Sequence, residues 1–113
     1  MADDTARRAE PNGLQIDVVR GVENDTIALR GELDIASAHA LESAVVELCV
    51  AGAREIVLDM QELEFIDSTG FRAILTSRER CEECGAQLVM TRPRERVNRM
   101  LHVSGMLRRL PFR

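Results

Sequence analysis

Ile56, Val57 and Leu58 form an unbroken, partly β-branched apolar run closed by Asp59, and such a run suits a strand buried on both faces. A short connector follows, in which Leu63 and Phe65 alternate with Glu62 and Glu64. Asp67-Ser68-Thr69-Gly70 then sets cap-forming side chains ahead of Phe71, Ile74, Leu75 and Arg78, whose spacing predicts a helix over residues 68–84 with Gly85 as its stop. A buried strand that feeds an amphipathic helix is half of a crossover, so the chain is committed to layered α/β architecture. Ser68 falls in the first helical turn, where backbone N–H groups lack intrahelical partners and the dipole favours negative charge. A hydroxyl there is easily reached, and a phosphate placed on it is electrostatically welcome.

The flanking segments extend this plan. Residues 1–12 are charged and rich in small side chains, and they read as a disordered N-terminal tail before one domain over 13–113. Leu14, Ile16 and Val18 alternate with polar partners as a half-buried strand does, residues 21–25 supply a turn, and 26–30 form the second arm of a hairpin. Residues 31–34 then lead the chain out of the sheet. Ser37 is placed to cap a helix carrying Leu41, Ala44, Val45 and Leu48, with Gly52 to end it. Residues 87–90 predict a further short strand. Pro93 opens another helix with Val97, Met100 and Leu101 inward and Gly105 as terminator, and 107–112 read as an edge strand because Pro111 cannot donate to a ladder. The expected fold class is therefore α/β: a mixed sheet of four to five strands packed against three or more helices.

Composition narrows the function. With three Phe and neither Trp nor Tyr among 113 residues, the core must be aliphatic. No apolar run approaches the ~20 residues of a membrane span and no leader-like segment opens the chain, so a cytoplasmic location is expected. Cys49, Cys81 and Cys84 are an odd set without framework spacing, which fits free thiols. Every basic residue is Arg, with 5 Arg against 15 Asp and Glu through Asp67 and 10 Arg against 4 Glu beyond it. Such asymmetry solvates two faces of a small domain, or presents an acidic rim to a basic partner.

Catalytic and metal chemistry find little support. The CxxC of Cys81 and Cys84 brackets two carboxylates near a helix C-terminus, a setting that disfavours a thiolate, and neither a second CxxC nor a nearby His completes a zinc tetrad. His39 and His102 stand outside any motif. Asp34, Asp59 and Asp67 sit at strand ends where a magnesium site would gather them, but paired acidic residues at an early strand end are missing. Arg92, Arg94, Arg96 and Arg99 cluster around the third helix; an acidic domain without stacking aromatics is a poor nucleic-acid binder, and a solvated face is expected instead. No cofactor is called for.

Gly31-Glu32-Leu33-Asp34, a capped helix, Ile56-Val57-Leu58-Asp59, Phe65-Ile66-Asp67-Ser68-Thr69-Gly70 and Val103-Ser104-Gly105-Met106 together resemble the STAS domain, the module of sulfate transporters and anti-sigma-factor antagonists. The similarity runs from residue 14 to 113 and is most specific at 67–70. It implies a switch and not an enzyme. In free-standing members, the serine matching Ser68 is phosphorylated by an anti-sigma factor with serine-kinase activity, and a phosphatase reverses this. The unphosphorylated form binds the anti-sigma factor and releases the sigma factor for transcription. Glu32, Asp34, Asp67, Ser68, Thr69, Gly70 and Arg72 are the partner-binding residues this resemblance and their placement suggest, in a monomer or weak homodimer.

Arg72 stands where relatives commonly carry a small residue, and it lies one turn after Ser68, within reach of a phosphate. Thr69, in place of the commoner serine, is a second but less suited acceptor. The chain ends soon after its last predicted strand, which leaves apolar surface for a partner or a second copy. Two other roles stay open: a scaffold subunit of a signalling assembly, and an accessory subunit of a transporter.

Overall fold

The computed structural model describes residues 6–9, 13–103 and 105–113. Its elements in chain order are β1 (Ala6–Ala9), β2 (Leu14–Val19), β3 (Asp25–Leu33), α1 (Ala38–Val50), β4 (Glu55–Ile66), α2 (Ser68–Glu83), β5 (Gln87–Met90), α3 (Glu95–Val103) and a 3-10 turn at Leu107–Arg109. The sheet has five strands in the order β1-β2-β3-β4-β5, antiparallel from β1 to β3 and parallel from β3 to β5. It is the mixed α/β sheet that the sequence predicts.

Register explains the core. Val18 pairs with Ile27, Ile27 with Leu58, and Leu58 with Met90, so one apolar row crosses the sheet on a single face. All four side chains are buried. From α1, Leu41, Ala44, Val45 and Leu48 turn inward, and from α2, Phe71, Ala73, Ile74 and Cys81 do so. Aliphatic burial of this kind, at roughly 25 cal/mol per Å², is the main stabilising term of the domain.

Four predictions need correction. Residues 6–9, read as part of a disordered tail, pair with β2 through Ala6–Val19 and Ala9–Ile16, because the outer edge of the hairpin offers unpaired backbone groups; the rest of the predicted tail lies outside the described residues. β3 runs on to Leu33 instead of leaving the sheet at residue 31. The connector predicted over 60–66 is the second half of β4. Met60, Leu63 and Ile66 are buried there at every third position, a spacing that a flat strand cannot hide; two register shifts against β3, at Ala28/Arg30 and Gly31/Glu32, re-aim the side chains. Finally, residues 107–112 form no edge strand. The 3-10 turn takes up Leu107–Arg109, and a single bridge remains, in which Met90 N–H donates to the Pro111 carbonyl (2.9 Å) and Arg113 N–H to the Met90 carbonyl (3.0 Å).

Candidate functional site

β3 and β4 run parallel and end together, Leu33 opposite Ile66 and Glu32 opposite Phe65. Neighbouring strands lie about 4.8 Å apart, so the loop after β3 and the start of α2 emerge side by side. Asp67 N–H donates to the Leu33 carbonyl (3.3 Å) and joins the two exits. Gly70 is buried directly over that carbonyl, where any Cβ would collide with the oxygen. The glycine is therefore a spacing residue whose lack of a side chain lets α2 settle against β3.

Asp67 caps α2. Its backbone is extended (φ −117°, ψ −173°), and its carboxylate accepts the Gly70 N–H at 2.9 Å, satisfying one orphan donor of the first turn. Ser68 is the first residue of the helix and is exposed. Thr69 is half-buried, and Arg72, four residues after Ser68, is exposed on the next turn of the same face.

The loop after β3 is held as firmly. Ser37 is fully buried, yet it makes no side-chain cap for α1 as predicted; its Oγ donates to the Glu32 carbonyl (2.8 Å) and accepts the Asp34 N–H (3.1 Å). Asp34 Oδ1 accepts the Ala36 N–H at 3.0 Å. These bonds fold the chain tightly between strand and helix and push Ile35 outward, 78% exposed. Phe65, at the end of β4, is 39% exposed. Glu32, Asp34, Asp67, Ser68 and Thr69 thus converge on one end of the sheet with two apolar side chains among them. Sequence reasoning missed Ile35, whose only signal was an isoleucine standing outside either helical or strand period.

Other candidate chemistry does not assemble. Asp59 accepts the Gln61 N–H (3.0 Å) and the Thr91 hydroxyl (3.3 Å), so Asp34, Asp59 and Asp67 each serve nearby chain. Among the described residues no three His, Cys, Asp or Glu side chains are grouped to hold a metal ion. His39 and His102 are exposed on different helices. Arg94 pairs with Glu62 (3.3 Å), Arg99 with Glu95 (3.5 Å), and Arg92 lies over the Phe112 ring at 4.2 Å. No helix among the described residues is long and apolar enough to cross a membrane.

All three cysteines are free, but they are neighbours. The Cys49 thiol donates to the Cys81 sulfur at 4.0 Å, and Cys84 Sγ donates to the Cys81 carbonyl at 3.3 Å. Burial pushes the Cys49 and Cys81 thiols above the usual range, and the surrounding thiols add to it at Cys49. At Cys81 the Glu82 charge is the smallest contribution, so burial outweighs the carboxylates on which the sequence argument relied.

The exposed start of α2 thus lies with Glu32, Asp34 and Asp67 and the exposed Ile35 and Phe65 at one end of a small α/β domain. The chain belongs to the STAS domain family, whose model matches residues 15–113. It is 29% identical over 83 residues to BtrV of Bordetella bronchiseptica, which carries the name of an anti-sigma factor antagonist; the match spans 74% of this chain and 72% of that one. It is 24% identical over 93 residues to the anti-sigma-B factor antagonist of Bacillus subtilis, spanning 82% and 84%. In fold it is similar to an anti-sigma factor antagonist from Mycobacterium paratuberculosis, with a TM-score of 0.74 at 21% identity over 90% of this chain and 86% of that one.

Proposed function

We propose that this protein is an anti-sigma-factor antagonist switched by phosphorylation of Ser68. The observation that carries the reading is the exposed Ser68 hydroxyl at the first position of α2, beside the Asp67 cap and the β3 exit. In the unphosphorylated state Ile35 and Phe65 supply desolvated contact area to the anti-sigma factor. Glu32, Asp34 and Asp67 give charge complementarity to a basic partner. Gly70 contributes by position, and Thr69 stands as a less exposed second acceptor.

A phosphate adds roughly −1.5 to −2 charges. At the mouth of α2 the backbone N–H groups tolerate it, so the domain keeps its fold while the docking face gains negative charge and bulk. Beside Glu32, Asp34 and Asp67 the added charge exceeds what a partner matched to the unphosphorylated face neutralises, and burying the surplus is unfavourable; release is the sense that the family resemblance implies. A loss of ~3 kcal/mol moves a mostly bound population to a mostly free one. The kinase in this reading is the anti-sigma factor itself, and a separate phosphatase restores binding.

Incubation with a serine-kinase anti-sigma factor and ATP, followed by site mapping by mass spectrometry, tests the reading. Wild type gains one phosphate at Ser68. Ser68→Ala gains none and still binds, and Ser68→Asp binds ~100-fold more weakly. Undiminished phosphate on Ser68→Ala moves the acceptor elsewhere and overturns the assignment.

A further inference from the structure

α1 and α2 are both crossovers between parallel strands, so they run in the same direction and bring their C-terminal ends to one edge of the domain. Cys49 lies in the last turn of α1 and Cys81 in the last turn of α2. Their sulfurs are 4.0 Å apart. A disulfide needs about 2.05 Å, so the two sulfurs close by roughly 2 Å to form one. Exposure divides the pair: Cys81 is fully buried, whereas Cys49 is half-buried and open to a small solute. Cys84, exposed at the end of α2, has its sulfur turned to the Cys81 carbonyl at 3.3 Å.

We propose that Cys49 and Cys81 are a peroxide-oxidisable pair, in which Cys49 meets hydrogen peroxide and Cys81 closes the product to a disulfide tying α1 to α2. Cys49 sulfur attacks one peroxide oxygen, the O–O bond breaks, and the departing hydroxide takes the thiol proton to become water. Cys49 is left as a sulfenic acid. Cys81 sulfur then attacks Cys49 sulfur, the S–O bond breaks, and the hydroxide leaves as water with the Cys81 proton. Two thiols have lost two electrons and two protons, and the peroxide has become two waters. Burial raises both thiols above the usual range, so each attack draws on a small thiolate fraction and the oxidation is slow; the 4.0 Å approach of the two sulfurs is what directs the second attack to Cys49.

The bridge lies near the far end of α2 from Ser68, roughly 20 Å along the helix axis. Its readout is thus independent of any anti-sigma partner.

Hydrogen peroxide is added to full-length wild type, Cys84→Ser, Cys81→Ser and Cys49→Ser, with intact mass, peptide mapping and thermal melting as readouts. Wild type and Cys84→Ser each lose two hydrogen atoms in mass. They yield a Cys49–Cys81 linked peptide, melt roughly 10 °C higher, and return to their starting state with dithiothreitol. Cys49→Ser, at the more open position, folds and forms no such link, and neither does Cys81→Ser. Cys84 also neighbours Cys49, so a Cys49–Cys84 or Cys81–Cys84 bond in wild type, copies joined through Cys84, or reduced thiols in folded Cys84→Ser after prolonged treatment would each overturn the assignment.

Discussion

Asp67 caps α2 with its side chain and ties β3 to β4 with its backbone, so its loss is felt locally and at the proposed docking face. Asp67→Ala is expected to cost ~1 kcal/mol and lower Tm by roughly 5 °C, measured by thermal melting, while Asp67→Asn retains most of that stability because asparagine also caps. Ser68→Asp is expected to leave Tm within ~2 °C of wild type even as partner binding falls, which separates a surface switch from a folding defect. Arg72→Ala should deepen the loss of binding caused by phosphorylation by ~3-fold in a titration, since it removes the cation one turn from Ser68. The cap was legible in the sequence because its hydrogen bond spans only three residues. Gly70 was legible as a motif member but not in its role, because the atom that forbids a side chain is the carbonyl of Leu33, distant in sequence.

At the scale of the element, β4 is the most informative. Its first half, 56–58, was plain from apolar continuity, and its second half was hidden because Met60, Leu63 and Ile66 follow a three-residue spacing that breaks the two-residue period of a strand. Only the bulged partner strand makes that spacing intelligible, and pairing is not local information. Leu63→Ala is accordingly expected to cost ~3 kcal/mol in urea unfolding, a core penalty that a surface connector would not show. α1 and α2 were read correctly from helical spacing, including the N-cap position of Ser37; what the sequence missed is that the Ser37 hydroxyl makes no cap bond and instead braces the loop that carries Glu32 and Asp34. The 107–112 segment failed as a strand because Pro111 limits its pairing and Leu107–Arg109 turns back on itself.

For the whole molecule, the proposed function gives the charge asymmetry a part in how a partner arrives. Glu32, Asp34, Glu64 and Asp67 share the end of the sheet that carries Ser68, while most of the Arg residues follow in the later half of the chain. Association with a basic anti-sigma surface is therefore expected to slow by roughly tenfold between low and high salt, read by stopped-flow, with the dissociation rate changing far less. The acidic bias was visible in the composition. Its convergence with Ile35 on one surface was not, because that depends on two parallel strands ending at the same level.

The sheet order repeats the chain order, strand by strand. Each new strand therefore docks beside one already made, with no gap held open for a later arrival. A polypeptide leaving the ribosome is free to assemble this domain in the direction of synthesis, and the bridge from Met90 to Phe112 is the latest contact of the sheet to become available.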